Sequence, residues 1–138
     1  LDVSIQAQVL ALLRRLCKER GAAVILITHD MGVIAETADR VAVLYAGRLV
    51  EEGATADVIA APRHPYTRGL MASIPPLDAR PDRLQQIDGA MPRVGIDIAG
   101  CAFRARCPVA MDRCADDIPE LIGDVSRASA CWLEEENA

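Results

Sequence analysis

The chain has 138 residues, about half of them apolar and only four of them aromatic. This suits one ordinary domain, or one small domain plus an appendage, with a core of Ala, Val, Leu and Ile. The formal net charge of −5 argues against nucleic acid as the main partner, because phosphate binding needs a basic surface. No apolar stretch approaches the ~20 residues that cross a bilayer, and the start does not resemble a signal peptide, so we expect a soluble, cytoplasmic protein.

The first predicted element is a helix from about Val3 to Arg20. Asp2 can accept hydrogen bonds from the free backbone N–H groups of its first turn, and Gly21 supplies the left-handed residue at which many helices end. Apolar residues recur at helical spacing and predict one apolar face: Ile5, Val9, Leu12, Leu13 and Leu16. Because the sequence opens at Leu1 directly before this cap, we expect it to be a fragment of a longer fold.

An uncharged segment, Ala22 to Thr28, follows the helix. It contains four consecutive residues that are Val, Ile or Leu, which predicts a strand buried on both faces, as in a parallel sheet. Helix followed by buried strand is half of a parallel βαβ unit and predicts an α/β fold. Ligands of open α/β sheets bind beyond the carboxyl ends of the strands, so His29, directly after the run, is the first candidate functional residue.

A short helix and a hairpin come next. Asp30 can cap a helix from about Met31 to Thr37. The residues after it predict a strand over Arg40 to Tyr45, a tight turn at Ala46-Gly47 and a returning strand over Arg48 to Glu52.

The composition changes at Pro62. Thr55 is expected to cap a short helix that ends before this proline. Six of the eight prolines lie between residues 62 and 92, which indicates extended connectors and brief helices. We therefore place a domain boundary here, between residues 1–61 and 62–138.

Two further elements are predicted after the boundary: a helix from about Tyr66 to Ser73 and a strand from Leu84 to Ile87. His64 precedes a proline and is therefore expected to be extended. We interpret it as a structural turn residue in preference to a metal ligand.

Cysteines concentrate in the last quarter of the chain. Four of the five follow the spacing C-x5-C-x6-C-x16-C: Cys101, Cys107, Cys114 and Cys131. Such a group in a segment with few large apolar residues predicts a metal staple, since disulfides are disfavoured in a reducing compartment. Zinc sites usually contain closer cysteine pairs. Irregular spacing, with Pro108 after one cysteine, also suits a 4Fe–4S cluster, and unmetallated thiols or disulfides stay open. Cys17 is interpreted as a small core residue.

Several short motifs together resemble the end of an ABC transporter ATP-binding subunit. They are Leu1-Asp2, Gln6-Ala7-Gln8, Ile27-Thr28-His29-Asp30, Asp39-Arg40-Val41, Tyr45-Ala46-Gly47-Arg48, Val50-Glu51 and Gly53. Three more are similar to the oligopeptide/dipeptide importer branch: His64-Pro65-Tyr66-Thr67, Ile74-Pro75 and Gly100-Cys101. The resemblance implies that residues 1–61 are the C-terminal part of a P-loop NTPase-type parallel sheet, and that residues 62–138 are a small irregular cysteine-bearing extension.

The resemblance also implies a motor subunit, peripheral on the cytoplasmic face of the membrane, that pairs with a second ATP-binding subunit around ATP and Mg²⁺. Its other partners would be transmembrane permease subunits and, indirectly, a peptide-binding protein. His29 matches the switch histidine, which contacts the γ-phosphate and helps position the attacking water. Asp2 matches the D-loop aspartate at the dimer interface. The cysteine pattern, similar to that of this branch, implies a 4Fe–4S cluster, with zinc as the alternative.

One essential motif of such motors does not occur in these residues. A P-loop has the pattern G-x-x-x-x-G-K-[ST], whose lysine reaches the β- and γ-phosphates. The only lysine here, Lys18, has no such glycines before it. We therefore predict that the chain alone does not hydrolyse ATP. The alternative interpretation is a free-standing metal-binding regulatory or interaction module without a motor role.

Overall fold

The computed structural model describes residues 3–74, 86–93 and 95–136. The chain divides into two compact units, residues 1–39 and residues 40–138. This division reflects compactness and does not test the domain boundary predicted near Pro62, which stays a prediction.

The first unit begins with helix α1 (Val3–Arg20), which has the predicted bounds. It ends at Gly21, whose φ of +62° is the left-handed conformation expected of a helix stop. The predicted apolar face is present but largely exposed: Ile5, Val9, Leu12 and Leu16 are 40–50% accessible to solvent. Asp2, the predicted cap, lies outside the described residues.

The predicted buried strand from Ala22 to Thr28 is wrong for the described chain, since these residues form no strand. Ile25 and Ile27 are 92% and 94% exposed. A parallel strand exists only through hydrogen bonds to neighbouring strands, and the strands among the described residues all belong to the second unit and pair antiparallel. The observed fold is therefore α/β with an antiparallel sheet.

The end of this segment is ordered by its polar residues. Helix α2 (Met31–Thr37) has the predicted bounds, and Asp30 caps it by accepting a hydrogen bond from Val33 N at 3.2 Å. At the other end of the helix, Thr37 Oγ1 donates to the carbonyl of Val33. The prediction of a capped helix directly after His29 is confirmed.

A four-stranded sheet organises the second unit. Its strands are β1 (Arg40–Tyr45), β2 (Arg48–Ala54), β3 (Ile122–Gly123) and β4 (Arg127–Ser129), in the order β1-β2-β4-β3. The predicted hairpin is confirmed, with β2 two residues longer than expected. Its turn has positive φ at Ala46 (49°) and Gly47 (78°), as a type I′ turn requires.

Short helices surround this sheet. They are α3 (Thr55–Ala60), α4 (Pro65–Ala72), a 3₁₀ turn (Arg104–Arg106), α5 (Arg113–Asp116) and α6 (Leu133–Glu136). Thr55 is not the predicted cap: it is the first helical residue, Ala54 is the N-cap, and the Thr55 hydroxyl has no hydrogen-bond partner in the described part of the chain. Of the predicted strand Leu84 to Ile87, the first two residues lie outside the described part, and the last two are not in a strand. In the described ranges no helix is long and apolar enough to cross a membrane.

Aromatic side chains form the centre of the second unit's core, beside Val41, Val43, Val50 and Val58. Tyr45 is fully buried and Phe103 is 2% exposed. The rings of Tyr45, Tyr66 and Phe103 lie 4.6–5.5 Å apart between centroids. The expectation of a purely aliphatic core is therefore wrong here, because the few aromatic residues converge on one place and each buries a large area.

Candidate functional site

His29 lies between two polar neighbours that fix its backbone. Asp30 N donates to Thr28 Oγ1 at 3.0 Å, and the Asp30 carboxylate caps α2. The imidazole of His29 is exposed, and it makes no hydrogen bond within the part of the chain that the structure describes. The backbone is thus held while the ring is accessible to a ligand.

The four cysteines of the last quarter of the chain, Cys101, Cys107, Cys114 and Cys131, line one cavity of the second unit. Its other lining side chains are mostly apolar, with His64 and Arg104 as the charged or titratable exceptions. Cys114 lies on α5, and Cys131 follows β4. Their common position does not test the predicted metal site, which stays a prediction.

A close backbone approach brings the first and third cysteines together. Cys101 N donates to the carbonyl of Cys114 at 2.9 Å. Gly100 before it has φ of +67°, and a Cβ at this position would lie 2.5 Å from the carbonyl oxygen of Ala115. Arg104 reinforces the approach, since its guanidinium donates to the carbonyls of Ala99 and Ala115. Only glycine fits at residue 100.

The environment of the cavity disfavours thiolates without a bound cation. Burial raises the pKa of the Cys101, Cys107 and Cys131 thiols, and the neighbouring thiols raise each pKa further. Thiols with raised pKa values are protonated at neutral pH. A bound metal would have to displace these protons and supply positive charge; Arg104 is the cationic side chain that lines the cavity among the described residues.

The cavity also permits a test of the predicted metal. Among the described residues no group of His, Cys, Asp or Glu side chains is close enough together to hold a metal ion as placed. The free space is about 20 Å³, room for one water molecule, so a larger group would move the thiol side chains apart. The indole N–H of Trp132, which lines this cavity, is buried without a hydrogen-bond partner in the described chain. Four thiols are the donor set of a thiolate-bound metal group, but as placed they are too far apart for a single ion and leave too little space for a cluster.

A buried carboxylate that sequence reasoning missed lies behind this cavity. Glu51 on β2 is fully buried and accepts hydrogen bonds from Arg63 N at 2.8 Å and His64 N at 2.9 Å. Arg127 on β4 pairs with it at 3.3 Å. The sequence offered no signal for this network, because a Glu beside a second Glu in a hairpin normally faces water.

His64 has the structural role that the sequence predicts. It is the N-cap of α4, where its Nδ1 accepts a hydrogen bond from Tyr66 N at 3.0 Å. Burial lowers its pKa to about 4, although the charge of Glu51 opposes this. The ring is therefore neutral at physiological pH and acts as an acceptor.

Comparison with known proteins adds two findings. Residues 50–114 match the family model described as "Oligopeptide/dipeptide transporter, C-terminal region". The chain is 47% identical over 137 residues to the oligopeptide transport ATP-binding protein AppD of Bacillus subtilis, covering 99% of this chain and 42% of that protein.

Two other relatives show a similar extent of identity. The dipeptide transport ATP-binding protein DppD of Bacillus subtilis is 45% identical over 139 residues, which cover 100% of this chain and 42% of the relative. A probable peptide ABC transporter ATP-binding protein of Sinorhizobium fredii is 46% identical over 138 residues, with coverages of 99% and 41%. The chain thus spans about two fifths of the length of the curated relatives that it matches.

Proposed function

Because this chain belongs to the family of oligopeptide/dipeptide transport ATP-binding proteins, we propose that it is part of a subunit that hydrolyses ATP to drive peptide import. The observation that carries the proposal is the match of essentially the whole chain to relatives named for this function. The alternative of a free-standing metal-binding module has no support among these relatives.

The proposed partners follow from this role. They are a second ATP-binding subunit, transmembrane permease subunits and, indirectly, a peptide-binding protein. A subunit of this kind works at the cytoplasmic face of the membrane as a peripheral protein. In the whole protein we expect neighbouring strands of a parallel sheet to cover Ile25 and Ile27, whose exposure supports that expectation.

ATP and Mg²⁺ are the proposed cofactors of the whole protein. His29 would donate a hydrogen bond to a γ-phosphate oxygen and orient the attacking water. This role suits phosphoryl transfer, because that reaction is catalysed mainly by positioning and charge stabilisation. Its exposed ring on a fixed backbone supports this role. Asp2 would lie at the interface with the second ATP-binding subunit. These residues contain no P-loop, so other parts of the whole protein would cradle the phosphates.

The test is a His29→Ala substitution in the whole protein assembled with its permease subunits. We expect ATP hydrolysis to fall about 100-fold or more, with ATP binding changed only a few-fold, because the phosphate cradle lies elsewhere. Glu36→Gln, an exposed change on the adjacent helix α2, is the matched control and should hydrolyse ATP normally. Hydrolysis at the wild-type rate by His29→Ala would refute the assigned role.

We further propose that Cys101, Cys107, Cys114 and Cys131 hold a metal group, an iron–sulfur cluster or, as the alternative, zinc. Their convergence on one cavity supports this proposal. The group would crosslink the segments on either side of the 3₁₀ turn, helix α5 and the segment after β4, and so stabilise this part of the chain. This role is structural and involves no step of ATP hydrolysis.

Metal analysis of protein purified without oxygen tests this second proposal. About four irons and four sulfides per chain, with visible absorption, would identify the cluster, and one zinc without colour would identify the alternative. Cys114→Ser should lose the metal, whereas Cys17→Ser, a change in the other unit, should retain it. The absence of both metals from wild-type protein would refute the proposal.

A further inference from the structure

Besides the cavity lined by the four cysteines, the cysteine cavity, the second unit contains a larger one of about 190 Å³. One wall is the β1–β2 hairpin, and the others come from the chain directly before the 3₁₀ turn, before β3 and after β4. An engineered apolar cavity of ~150 Å³ binds benzene, so this cavity has room for a single ring or a short branched alkyl chain. Its lining is mainly apolar: Tyr45, Leu49, Val50, Phe103, Pro119 and Ala130.

The walls of this cavity are held in place by contacts within the protein. Ala130 N donates to the carbonyl of Val50 at 2.8 Å and joins the residue after β4 to β2. The Tyr45 ring packs on Phe103, with 5.1 Å between the centroids, and its hydroxyl accepts a hydrogen bond from Arg106 at 3.3 Å. A ligand would therefore enter a cavity that is already formed, which reduces the entropy lost on binding.

The burial of the lining side chains shows which end of the cavity is open. Tyr45, His64 and Phe103 are at most 2% exposed and form the floor. Arg48 is exposed and Ile118 is 40% exposed, so these two side chains lie at the mouth. A ligand of matching size would have its apolar part enclosed and one end near water.

Arg48 gives the mouth of the cavity a positive charge. Its side chain makes no ion pair or hydrogen bond with the residues that the structure describes, and within the same residues no acidic side chain lines the cavity. The His64 ring and the Cys101 thiol, which also line it, are uncharged at neutral pH, because burial lowers the pKa of His64 to about 4 and raises that of Cys101. One cation beside apolar walls complements a monoanion with an apolar body.

We infer that this cavity binds a small apolar monocarboxylate, whose ring or alkyl chain lies against Tyr45 and Phe103 and whose carboxylate binds the Arg48 guanidinium. The planar guanidinium can donate two parallel hydrogen bonds to a carboxylate, which a neutral ligand of the same shape cannot accept equally well. The inference involves neither the metal centre nor ATP hydrolysis, so it stands or falls apart from the proposed function.

Isothermal titration calorimetry of the whole protein without nucleotide, with benzoate as the probe, tests this inference. Benzamide is the matched uncharged probe, because it has the same ring and nearly the same shape. Acetate has the charge without the ring. We expect benzoate to bind at least about tenfold more tightly than either of the other two probes.

Two substitutions separate the charge from the apolar walls. Arg48→Gln should weaken benzoate binding about tenfold and leave benzamide binding unchanged, whereas Ala102→Leu, which fills the cavity from a half-buried wall position, should prevent the binding of both. Arg93→Gln is the matched control, since it changes an exposed arginine outside the cavity lining and should bind benzoate as wild type does. If Ala102→Leu does not fold, the methyl signals of Ala102 and Ala130 in wild-type protein locate the ligand instead, because both should shift with benzoate.

Each outcome decides the inference. Failure of the wild-type protein to bind benzoate at millimolar concentration refutes the site. Equal affinities for benzoate and benzamide, or wild-type affinity in Arg48→Gln, overturn the carboxylate contact. Benzoate binding that leaves the Ala102 and Ala130 methyl signals unshifted places the ligand elsewhere and overturns the inference as well.

Discussion

Replacing Glu51 by Gln should destabilise the second unit strongly, although the change removes only one charge. The Glu51 carboxylate is fully buried and accepts from two backbone N–H groups, at Arg63 and His64, in addition to the side chain of Arg127. A glutamine amide has one acceptor oxygen. Its NH₂ group would therefore oppose one of the backbone donors.

The magnitude follows from these contacts. A hydrogen bond to a charged group is worth about 1.5–3 kcal/mol, and breaking a buried ion pair from one side costs about 3–5 kcal/mol. The Arg127 side chain is 15% exposed and also donates to the carbonyl of Ala61. Because its charge keeps another partner, we place the loss of stability at the lower end of the range for a buried ion pair. We expect a decrease of about 3 kcal/mol in the free energy of unfolding, or roughly 12–24 °C in Tm.

Urea denaturation followed by the fluorescence of Trp132 measures this loss, because that residue belongs to the same unit as Glu51. Glu52→Gln is the matched control: it changes the neighbouring residue of β2, which is only half-buried and has no side-chain partner in the described ranges. It should alter the free energy by about 0.5 kcal/mol or less. A loss below about 1 kcal/mol for Glu51→Gln would contradict the idea that its charge organises the turn before α4.

Three further changes test other features. Because burial lowers the pKa of His64 to about 4, the unfolded chain binds the extra proton between pH 6.5 and 4. The free energy of unfolding should then fall by about 3 kcal/mol as pH drops through that window, and His64→Asn, which preserves an N-cap acceptor, should abolish this part of the pH dependence. Gly100→Ala should destabilise the chain by about 3 kcal/mol and lower its metal content, whereas Gly95→Ala, with a similar positive φ and open space around it, should cost only about 1 kcal/mol. The exposed Ile25 and Ile27 should make the isolated chain self-associate; replacing both by Lys should shift light scattering towards the monomer, and an unchanged size would contradict this.

Local sequence signals were enough to predict the elements whose ends are fixed by their own residues. Helix α1 stops at Gly21, and α2 starts at the Asp30 cap. The Ala46-Gly47 turn sets the register of the hairpin. In each case the determining hydrogen bond or backbone angle lies within a few residues of the element, so a linear pattern contains it.

Features that depend on distant partners could not be predicted in the same way. The run from Ala22 to Thr28 has the composition of a buried strand, but a strand needs neighbours that the run itself does not specify. Strand β4 is three residues long and contains Arg and Ser, and its pairing with β2 and β3 makes it a strand. The burial of Glu51 likewise depends on Arg127, which lies 76 positions later in the chain.

The hairpin and the cysteine cavity form one structural unit, and this affects what a metal at the cavity would do. Glu51 on β2 holds the backbone of His64, and the His64 side chain lines the cavity. On the other side, Ala130 N donates to the carbonyl of Val50 at 2.8 Å, one residue before Cys131. Two hydrogen bonds, one to the Glu51 side chain and one to the Val50 carbonyl, therefore join β2 to a residue of the cavity wall and to the neighbour of another. Since a ligand that binds only the folded state stabilises everything that folds with it, a metal held by the cysteines would stabilise the hairpin as well as the extension.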